Sequence, residues 1–534
     1  MAESGASNPV DATPPPYKKD PEPTGLAVSR PNIVLFMPDQ LRYDALGCSG
    51  NKIIKTPNID AFAARGTNFS NCFTQASVCS QSRCSMFTGQ YPHVAGHRSI
   101  ETLIKPWEPN VFRALKESGY HVACLAPRGD LFAPTVTELS FDEHGFLETP
   151  ELGAPNFKGQ WASKVPLEER DSIWSRLFYR GRRDEAEAFD YDESAIRSAE
   201  TWLKNPPEGP WVLFLPLIFP HCPFTVEEPY FSMYSREDMP APALLAEKTG
   251  HEPGYMAAIR SRYNTSRATP AIWAEVTATY YGMITRLDAQ FGRLIDLLDS
   301  TALFATTITF LFSDHGDHLG DHGLIEKWPS GLSAPLVHSP LLVAGAGLPP
   351  SPAPDPALVE LLDLTPTLLH LAHAPQTWAH NGASLVPALT RSAPHPKRFA
   401  FSEGGFLVSE EPLLETAGWP YDQKATLQHA APQLVGKAVA VRSAEWTFVW
   451  RLYEPPELYA RSGPRADPHE LHNLAAESEC EHVVKEMEAV LLRWLVETGD
   501  VLAWERDPRR PVVRGLESPR KQYERRVRER GGAV

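Results

Sequence analysis

The segment SVCSQSRCSMFTG, residues 77–89, contains two of the seven cysteines of the chain, with an arginine between them. On a helix, Cys79 and Arg83 would share one face because they are four residues apart. The helix dipole stabilises a nucleophile at a helix N-terminus, and an arginine can orient it or hold an anionic oxygen. A small buried core thiol is the alternative, but the residues around Cys79 are polar. We therefore expect Cys79 to be reactive, and Cys84 and Cys124 to be structural.

Polar side chains also follow two predicted strands. Asp39 and Gln40 come directly after NIVLFMP, and Asp314 and His315 open the motif SDHGDHLGDHG after TTITFLF. Open α/β sheets bind ligands at the carboxyl ends of their strands, so these four side chains should converge. A polar surface loop is the alternative for the second motif. Because it comes so soon after a buried strand, the pattern favours a divalent metal site.

Two further residues could complete such a site. His221 follows the predicted strand WVLFLPLI, and Lys327 follows the acidic motif in EKWPSG. A lone histidine is often structural, but His221 occupies the same strand-end position as the predicted metal ligands. Both residues are therefore candidate catalytic groups.

Composition narrows the class of partner. The chain has 534 residues and a formal net charge of −15, whereas a general nucleic-acid-binding protein would carry a basic domain. The longest apolar run, WVLFLPLIF, is too short to span a bilayer. An odd number of cysteines without regular spacing is typical of a reducing compartment, and we see no secretory leader. We expect a cytoplasmic protein that acts on a small molecule, without nucleic-acid or membrane partners.

The order of elements predicts the architecture. Short β-branched runs alternate with helical segments from Pro31 onward, which is typical of an α/β fold with a mostly parallel central sheet sandwiched by helices. We expect a disordered proline-rich tail over 1–29, a catalytic domain over 30–398 and a smaller C-terminal α+β subdomain over 399–508. Residues 509–534 are basic and are predicted to be a solvated tail.

Taken together, these motifs resemble those of the type I sulfatases of the alkaline phosphatase superfamily. The resemblance extends from Pro31 to about Arg509. It rests on an ordered series of segments: PNIVLFMPDQLRYDALGC, TPNIDAFAARGTNFSNCF, VCSQSRCSMFTGQYPH, SDHGDHLGDHG, DLTPTLLHLA, NGASLVPAL and ADPHELHNLA. Each segment alone is moderately specific, and their order makes the match strong.

The resemblance implies a mechanism. In that family the cysteine at the position of Cys79 is oxidised by a maturation enzyme to formylglycine, whose hydrated aldehyde attacks the sulfur of a sulfate ester. By the same resemblance, one divalent metal ion would be bound by Asp39, Gln40, Asp314 and His315. Arg83 would support the formylglycine, and Lys327 and His221 would contact the sulfate or the leaving group. His97 would be a further residue of the same pocket.

Three positions depart from the family pattern. The signature is C-x-P-S-R, whereas Gln81 replaces the proline that the maturation enzyme reads. The Asp–Gln and Asp–His ligand pairs are similar to those of phosphonate monoester hydrolases. An imidazole ligand favours Mn²⁺-like ions without excluding Ca²⁺. Arg128, in APRGD, stands where related sequences have a Gly-Lys-type motif, so we expect it to replace that lysine as an anion contact.

These departures leave three functions to weigh. The first is metal-dependent hydrolysis of sulfate monoesters through a formylglycine at Cys79. The second is hydrolysis of phosphonate monoesters or phosphate diesters on the same scaffold, which the Gln40 and His315 ligands suggest. The third is a catalytically impaired relative that binds anions, for which Gln81 is the only support.

Overall fold

The computed structural model describes Leu26 and residues 28–151, 165–243, 247–500 and 517–531. Most of the predicted N-terminal tail, residues 1–29, therefore lies outside the described residues. The strands in chain order are β1 (Asn32–Asp39), β2 (Thr67–Phe73), β3 (His121–Cys124), β4 (Glu143–His144), β5 (Tyr179–Arg182), β6 (Trp211–Pro220), β7 (Phe224–Val226), β8 (Thr307–Phe312), β9 (Leu341–Gly345), β10 (Asp355–Glu360), β11 (Ala400–Gly404), β12 (Ala438–Arg442), β13 (Trp446–Arg451) and β14 (Glu457–Ala460).

The α-helices alternate with these strands, and short 3-10 helices occupy several of the turns. In chain order they are α1 (Pro57–Ala64), α2 (Cys79–Thr88), α3 (Pro92–Ala95), α4 (Val111–Glu117), α5 (Val136–Ser140), α6 (Ile173–Arg176), α7 (Tyr191–Leu203), α8 (Gly254–Tyr263), α9 (Pro270–Ser300), α10 (Ala334–Val337), α11 (Leu364–Ala372), α12 (Val386–Leu389), α13 (Asp422–Ala430), α14 (Glu481–Thr498) and α15 (Pro519–Glu529).

The predicted central sheet is confirmed. Its strand order is β10-β2-β9-β8-β1-β6-β3-β4. Strand β1 pairs in parallel with both β6 and β8. The one departure is β9, which runs antiparallel to β8 and β2. Strands β5 and β7 form a separate parallel pair.

Side chains of the central strands alternate between two cores. Val34 and Phe36 of β1 face the core that contains the long helix α9, whereas Ile33, Leu35 and Met37 face the core formed with α2, α4 and α11. This period of two is the geometry of an extended strand. A strand buried on both faces reads as a continuous apolar run, as NIVLFMP does. The helices therefore cover both faces of the sheet, as predicted.

The C-terminal part contains the predicted antiparallel sheet, in the order β11-β12-β13-β14. Helix α14 packs on this sheet, where Trp494 stacks on Phe401 with 4.8 Å between ring centroids. Tyr91 and Leu362 of the larger part share that core. The boundary predicted at residue 399 stays a prediction, because this shared core joins the two parts.

Two other expectations concern the ends of the chain and its surroundings. Within the predicted basic tail, residues 519–529 form helix α15, which has no buried residue. None of the described helices is both long and apolar enough to cross a membrane. The predicted cytoplasmic location stays a prediction.

Candidate active site

Four buried side chains converge at the carboxyl edge of the central sheet. Asp39 ends β1, Asp314 and His315 follow β8, and Cys79 is the first residue of α2. One potential ligand atom from each lies within 4.8 Å of the other three. Parallel pairing explains the convergence of the two aspartates. Phe36 pairs with Leu311 at an offset of 275 residues, and the same offset relates Asp39 to Asp314.

The thiol of Cys79 points into this cluster. Its Sγ lies 3.0 Å from His315 Nε2 and 3.7 Å from Asp39 Oδ1. Val78, just before the helix, is extended. Burial, followed by the Asp39 carboxylate, raises the pKa of the Cys79 thiol well above its ordinary value. In the absence of a metal ion, these surroundings favour the neutral thiol of the unmodified side chain.

Arg83 joins the cluster to helix α2. Its guanidinium contacts Asp39 at 2.9 Å, Asp314 at 2.7 Å and Asp130 at 2.7 Å. It is fully buried, as are both aspartates of the cluster. The predicted helical spacing of Cys79 and Arg83 thus brings both side chains to the same two carboxylates.

Arg128 lies beside Arg83 and shares two of its carboxylate partners; its role as an anion contact stays a prediction. Its Nη2 contacts Asp39 at 2.8 Å and Asp130 at 2.7 Å. Burial alone would raise the pKa of Asp39, but His221, Arg128 and Arg83 outweigh burial and lower it well below its ordinary value. Asp130 was missed by the sequence analysis, although it ends the APRGD motif that pointed to Arg128.

Gln40 lies next to the cluster, and its side chain bridges two other groups. Its amide oxygen accepts a hydrogen bond from Lys327 Nζ at 2.7 Å, and its amide nitrogen donates to Asp317. Its backbone φ of 68° is uncommon for a residue other than glycine. Its backbone N–H donates to Asp314 Oδ1 at 3.2 Å. Ligation of a metal ion by Gln40 stays a prediction. An amide oxygen has two lone pairs, so the hydrogen bond from Lys327 leaves one for an ion.

His221 and Lys327 lie close to each other beside Gln40. Lys327 Nζ lies 3.1 Å from His221 Nε2 and 2.7 Å from Glu326. Burial and Lys327 lower the pKa of His221 to about 4, so the imidazole is neutral at neutral pH. Burial would lower the pKa of Lys327, but Cys79, Glu326 and Asp39 raise it well above its ordinary value.

His97, another predicted site residue, makes its described contacts away from the Cys79 cluster. Its Nδ1 lies 2.7 Å from the carbonyl oxygen of Thr102, and its Nε2 lies 3.4 Å from Glu108. These contacts direct the imidazole towards the loop before α4. A substrate contact by His97 therefore stays a prediction without a described contact to the cluster.

The donor set of the cluster fits a divalent metal ion. Asp39, Asp314 and His315 offer two carboxylates and an imidazole at one point. Carboxylate oxygens suit Ca²⁺ and Mn²⁺, and an imidazole suits transition metals better than Ca²⁺. All three residues are completely buried, as a dry metal site requires.

Comparison with known proteins places the chain in a family. A family model described as Sulfatase matches residues 31–374. The chain belongs to the sulfatase family. As a member, it is a sulfuric ester hydrolase, which confirms the resemblance and the enzyme class predicted from the motifs.

Individual relatives have a low sequence identity to this chain. A multifunctional alkaline phosphatase superfamily protein, PehA, of Trinickia caryophylli is 28% identical over 518 residues, covering 89% of this chain and 96% of the relative. A choline-sulfatase of Rhizobium meliloti is 26% identical over 470 residues, covering 84% of this chain and 83% of the relative. The crystal structure of a phosphonate monoester hydrolase of Agrobacterium radiobacter has a TM-score of 0.68 at 23% identity, covering 88% of this chain and 96% of that one. That last likeness shows the fold.

The metal assignment predicts that Asp314→Asn loses bound metal and activity together. The amide keeps the shape of the side chain but removes the charge that a divalent ion requires. We expect kcat to fall by about 1000-fold, because electrostatic stabilisation by the metal is lost. Metal content is measured by inductively coupled plasma mass spectrometry. Asp299→Asn, at a partly exposed carboxylate paired with Arg65, is the control. Unchanged metal content in Asp314→Asn would refute the ligand role.

Proposed function

We propose that the protein hydrolyses sulfate monoesters at this cluster. The reaction would use one divalent metal ion and a nucleophile derived from Cys79. The observation that carries the proposal is the position of the Cys79 sulfur among the carboxylate and imidazole ligand atoms of Asp39, Asp314 and His315. A nucleophile carried by the side chain of residue 79 would therefore lie beside a metal ion held by these three side chains.

The metal ion, Ca²⁺ or Mn²⁺, would be held by Asp39, Asp314 and His315, with Gln40 as the fourth predicted ligand. When bound, it supplies Lewis-acid stabilisation of the charge that develops on the transferred group. The histidine among these ligands favours Mn²⁺.

Cys79 becomes an effective nucleophile after a maturation enzyme, which supplies the oxidant, converts it to formylglycine. This oxidation replaces the thiol by an aldehyde, and addition of water to the aldehyde gives the hydrate. Arg83 keeps this residue in place, because its guanidinium pairs with both Asp39 and Asp314. The neutral thiol of the unmodified protein is a poor nucleophile, since thiolates are the reactive form. The proposed function therefore depends on conversion of Cys79.

The leaving alcohol faces His221 and Lys327 in this proposal. Their nitrogens lie 3.1 Å apart, and Lys327 Nζ also donates to the side-chain oxygen of Gln40. General acid catalysis at the leaving oxygen requires a donor at such a position. Arg128, which pairs with Asp39, is the proposed further contact for the anionic group. The substrate is a small-molecule sulfate ester whose alcohol part the site does not identify.

A second candidate function is hydrolysis of phosphonate monoesters or phosphate diesters. Its support is the ligand pair Gln40 and His315, together with 28% identity to a relative named as a multifunctional alkaline phosphatase superfamily protein. Sulfate monoesters, phosphonate monoesters and phosphate diesters all carry a single negative charge. The cations of the site therefore accommodate all three substrate classes.

A catalytically impaired relative is the third candidate, and Gln81 is its only support. Gln81 lies in the first turn of α2, is buried, and donates a hydrogen bond to the backbone carbonyl of Arg98. The candidate nucleophile, the metal-binding carboxylates and the leaving-group side chains are all present. An intact set of this kind favours a working enzyme.

Cys79→Ala is expected to lower kcat for 4-nitrophenyl sulfate by at least about 1000-fold, because covalent catalysis is lost. The assay follows release of 4-nitrophenolate, and circular dichroism checks the fold. Cys84→Ala, on the same helix, is the matched control, since its sulfur faces the carbonyl groups of Thr102 and Leu131. 4-Nitrophenyl phenylphosphonate and bis(4-nitrophenyl) phosphate release the same product and, in the same assay, rank the first two functions. Wild-type activity in Cys79→Ala would exclude Cys79 as the nucleophile.

Gln81→Pro is expected to raise the fraction of Cys79 converted to the aldehyde. Proline restores the family signature, and the first turn of a helix tolerates it because the N–H groups there have no intrahelical acceptor. The fraction is measured by mass spectrometry of the peptide that contains Cys79, with wild-type protein from the same host as the control. An equal or lower fraction in the variant would show that Gln81 does not limit maturation.

A further inference from the structure

A buried acid stands directly behind Lys327. Glu326 Oε1 accepts a hydrogen bond from Lys327 Nζ at 2.7 Å, and its Oε2 accepts one from the backbone N–H of Lys327 at 2.8 Å. Lys424 Nζ donates to the same Oε2 and to the backbone carbonyl of Lys327. Glu326 is 1% exposed and Lys424 is 7% exposed. Lys424 thus contacts both the side chain and the peptide that position Lys327.

The backbone of Glu326 indicates that these contacts are specific. Its φ is 66°, in the left-handed region that residues other than glycine rarely adopt. Such a conformation is strained and persists where surrounding contacts hold it. Burying one carboxylate and two ammonium groups is also costly unless their charges are paired. Here Glu326 lies between two lysines, and Lys327 donates onward to Gln40.

Lys424 comes from a distant part of the chain. Residues 406–436 leave β11 and return to β12, and their ends are joined by hydrogen bonds from Phe406 N–H to Val435 at 2.9 Å and from Lys437 N–H to Phe406 at 3.0 Å. This segment lies against the proposed leaving-group side of the site. The hydroxyl of Tyr421 lies 3.4 Å from Cys222 Sγ, beside His221. Trp328 Nε1 donates to the carbonyl of Leu434 at 3.1 Å.

We propose that Lys424 and Glu326 are positioning residues that hold Lys327 against His221 and Gln40, so that Lys327 faces the leaving oxygen. This inference rests on the proposed function. Neither residue transfers a proton. Without Lys424, Oε2 of Glu326 loses its side-chain donor, and the Lys327 peptide loses the donor on its carbonyl. Lys327 Nζ would then spend less time at the leaving oxygen.

This role predicts a dependence on the leaving group. An ester with a good leaving group, 4-nitrophenyl sulfate, needs little help at the departing oxygen, whereas phenyl sulfate needs more. Misplacement of Lys327 should therefore lower kcat/KM for phenyl sulfate more than for 4-nitrophenyl sulfate. A variant that merely reduces the fraction of folded enzyme lowers both values equally and leaves their ratio unchanged.

The test measures kcat/KM for both esters in wild type, Lys424→Met and Lys424→Arg. In Lys424→Met we expect kcat/KM to fall about 100-fold for phenyl sulfate and about tenfold or less for 4-nitrophenyl sulfate, within the range of general acid catalysis. Lys424→Arg keeps the charge, so its ratio of the two kcat/KM values should lie between those of Lys424→Met and wild type. Lys485→Met removes an exposed lysine paired with Glu481 and is the matched control. Its ratio should equal that of wild type.

Glu326→Gln is the second variant, used if Lys424→Met does not fold, and it should shift the ratio in the same direction. A wild-type ratio in folded Lys424→Met, or in folded Glu326→Gln, would overturn the positioning role. A wild-type enzyme that hydrolyses neither sulfate ester would overturn the proposed function, and this inference with it. An active wild type with unchanged variant ratios overturns the present inference alone.

Discussion

The site depends on the ion pairs of Arg83 with Asp39 and Asp314. Both carboxylates are completely buried at the sheet edge, and an unpaired buried charge costs several kcal/mol. Arg83 reduces that cost. The same contacts fix the rotation and depth of α2. Cys79, one turn earlier on the same face, is therefore placed beside the two carboxylates.

Strand pairing supplies the other half of this arrangement. The parallel register of β1 with β8 brings Asp39 and Asp314 level, and the pairing of β1 with β6 sets Asp39 opposite Pro220, just before His221. Asp39, Asp314 and His221 thus lie at or just beyond the ends of three adjacent strands, β1, β8 and β6. Two hydrophobic cores, one on each face of the sheet, fix those strands.

Local sequence predicted much of this. Strand ends identified Asp39, Asp314 and His221, and helical spacing identified Cys79 with Arg83. The same reasoning failed where the partner is remote. Glu326 and Lys424 are 98 residues apart and meet because the 406–436 segment folds back onto the site. A sequence pattern carries no signal for such a contact. The antiparallel direction of β9 was missed for a similar reason, since an apolar run does not record its direction.

The mass of the tryptic peptide covering residues 66–83, taken from protein made in its own host, tests the central claim most directly. The account predicts that Cys79 carries an aldehyde in place of its thiol, in proportion to the sulfatase activity of each preparation. Active preparations in which Cys79 is an unmodified cysteine throughout would contradict it.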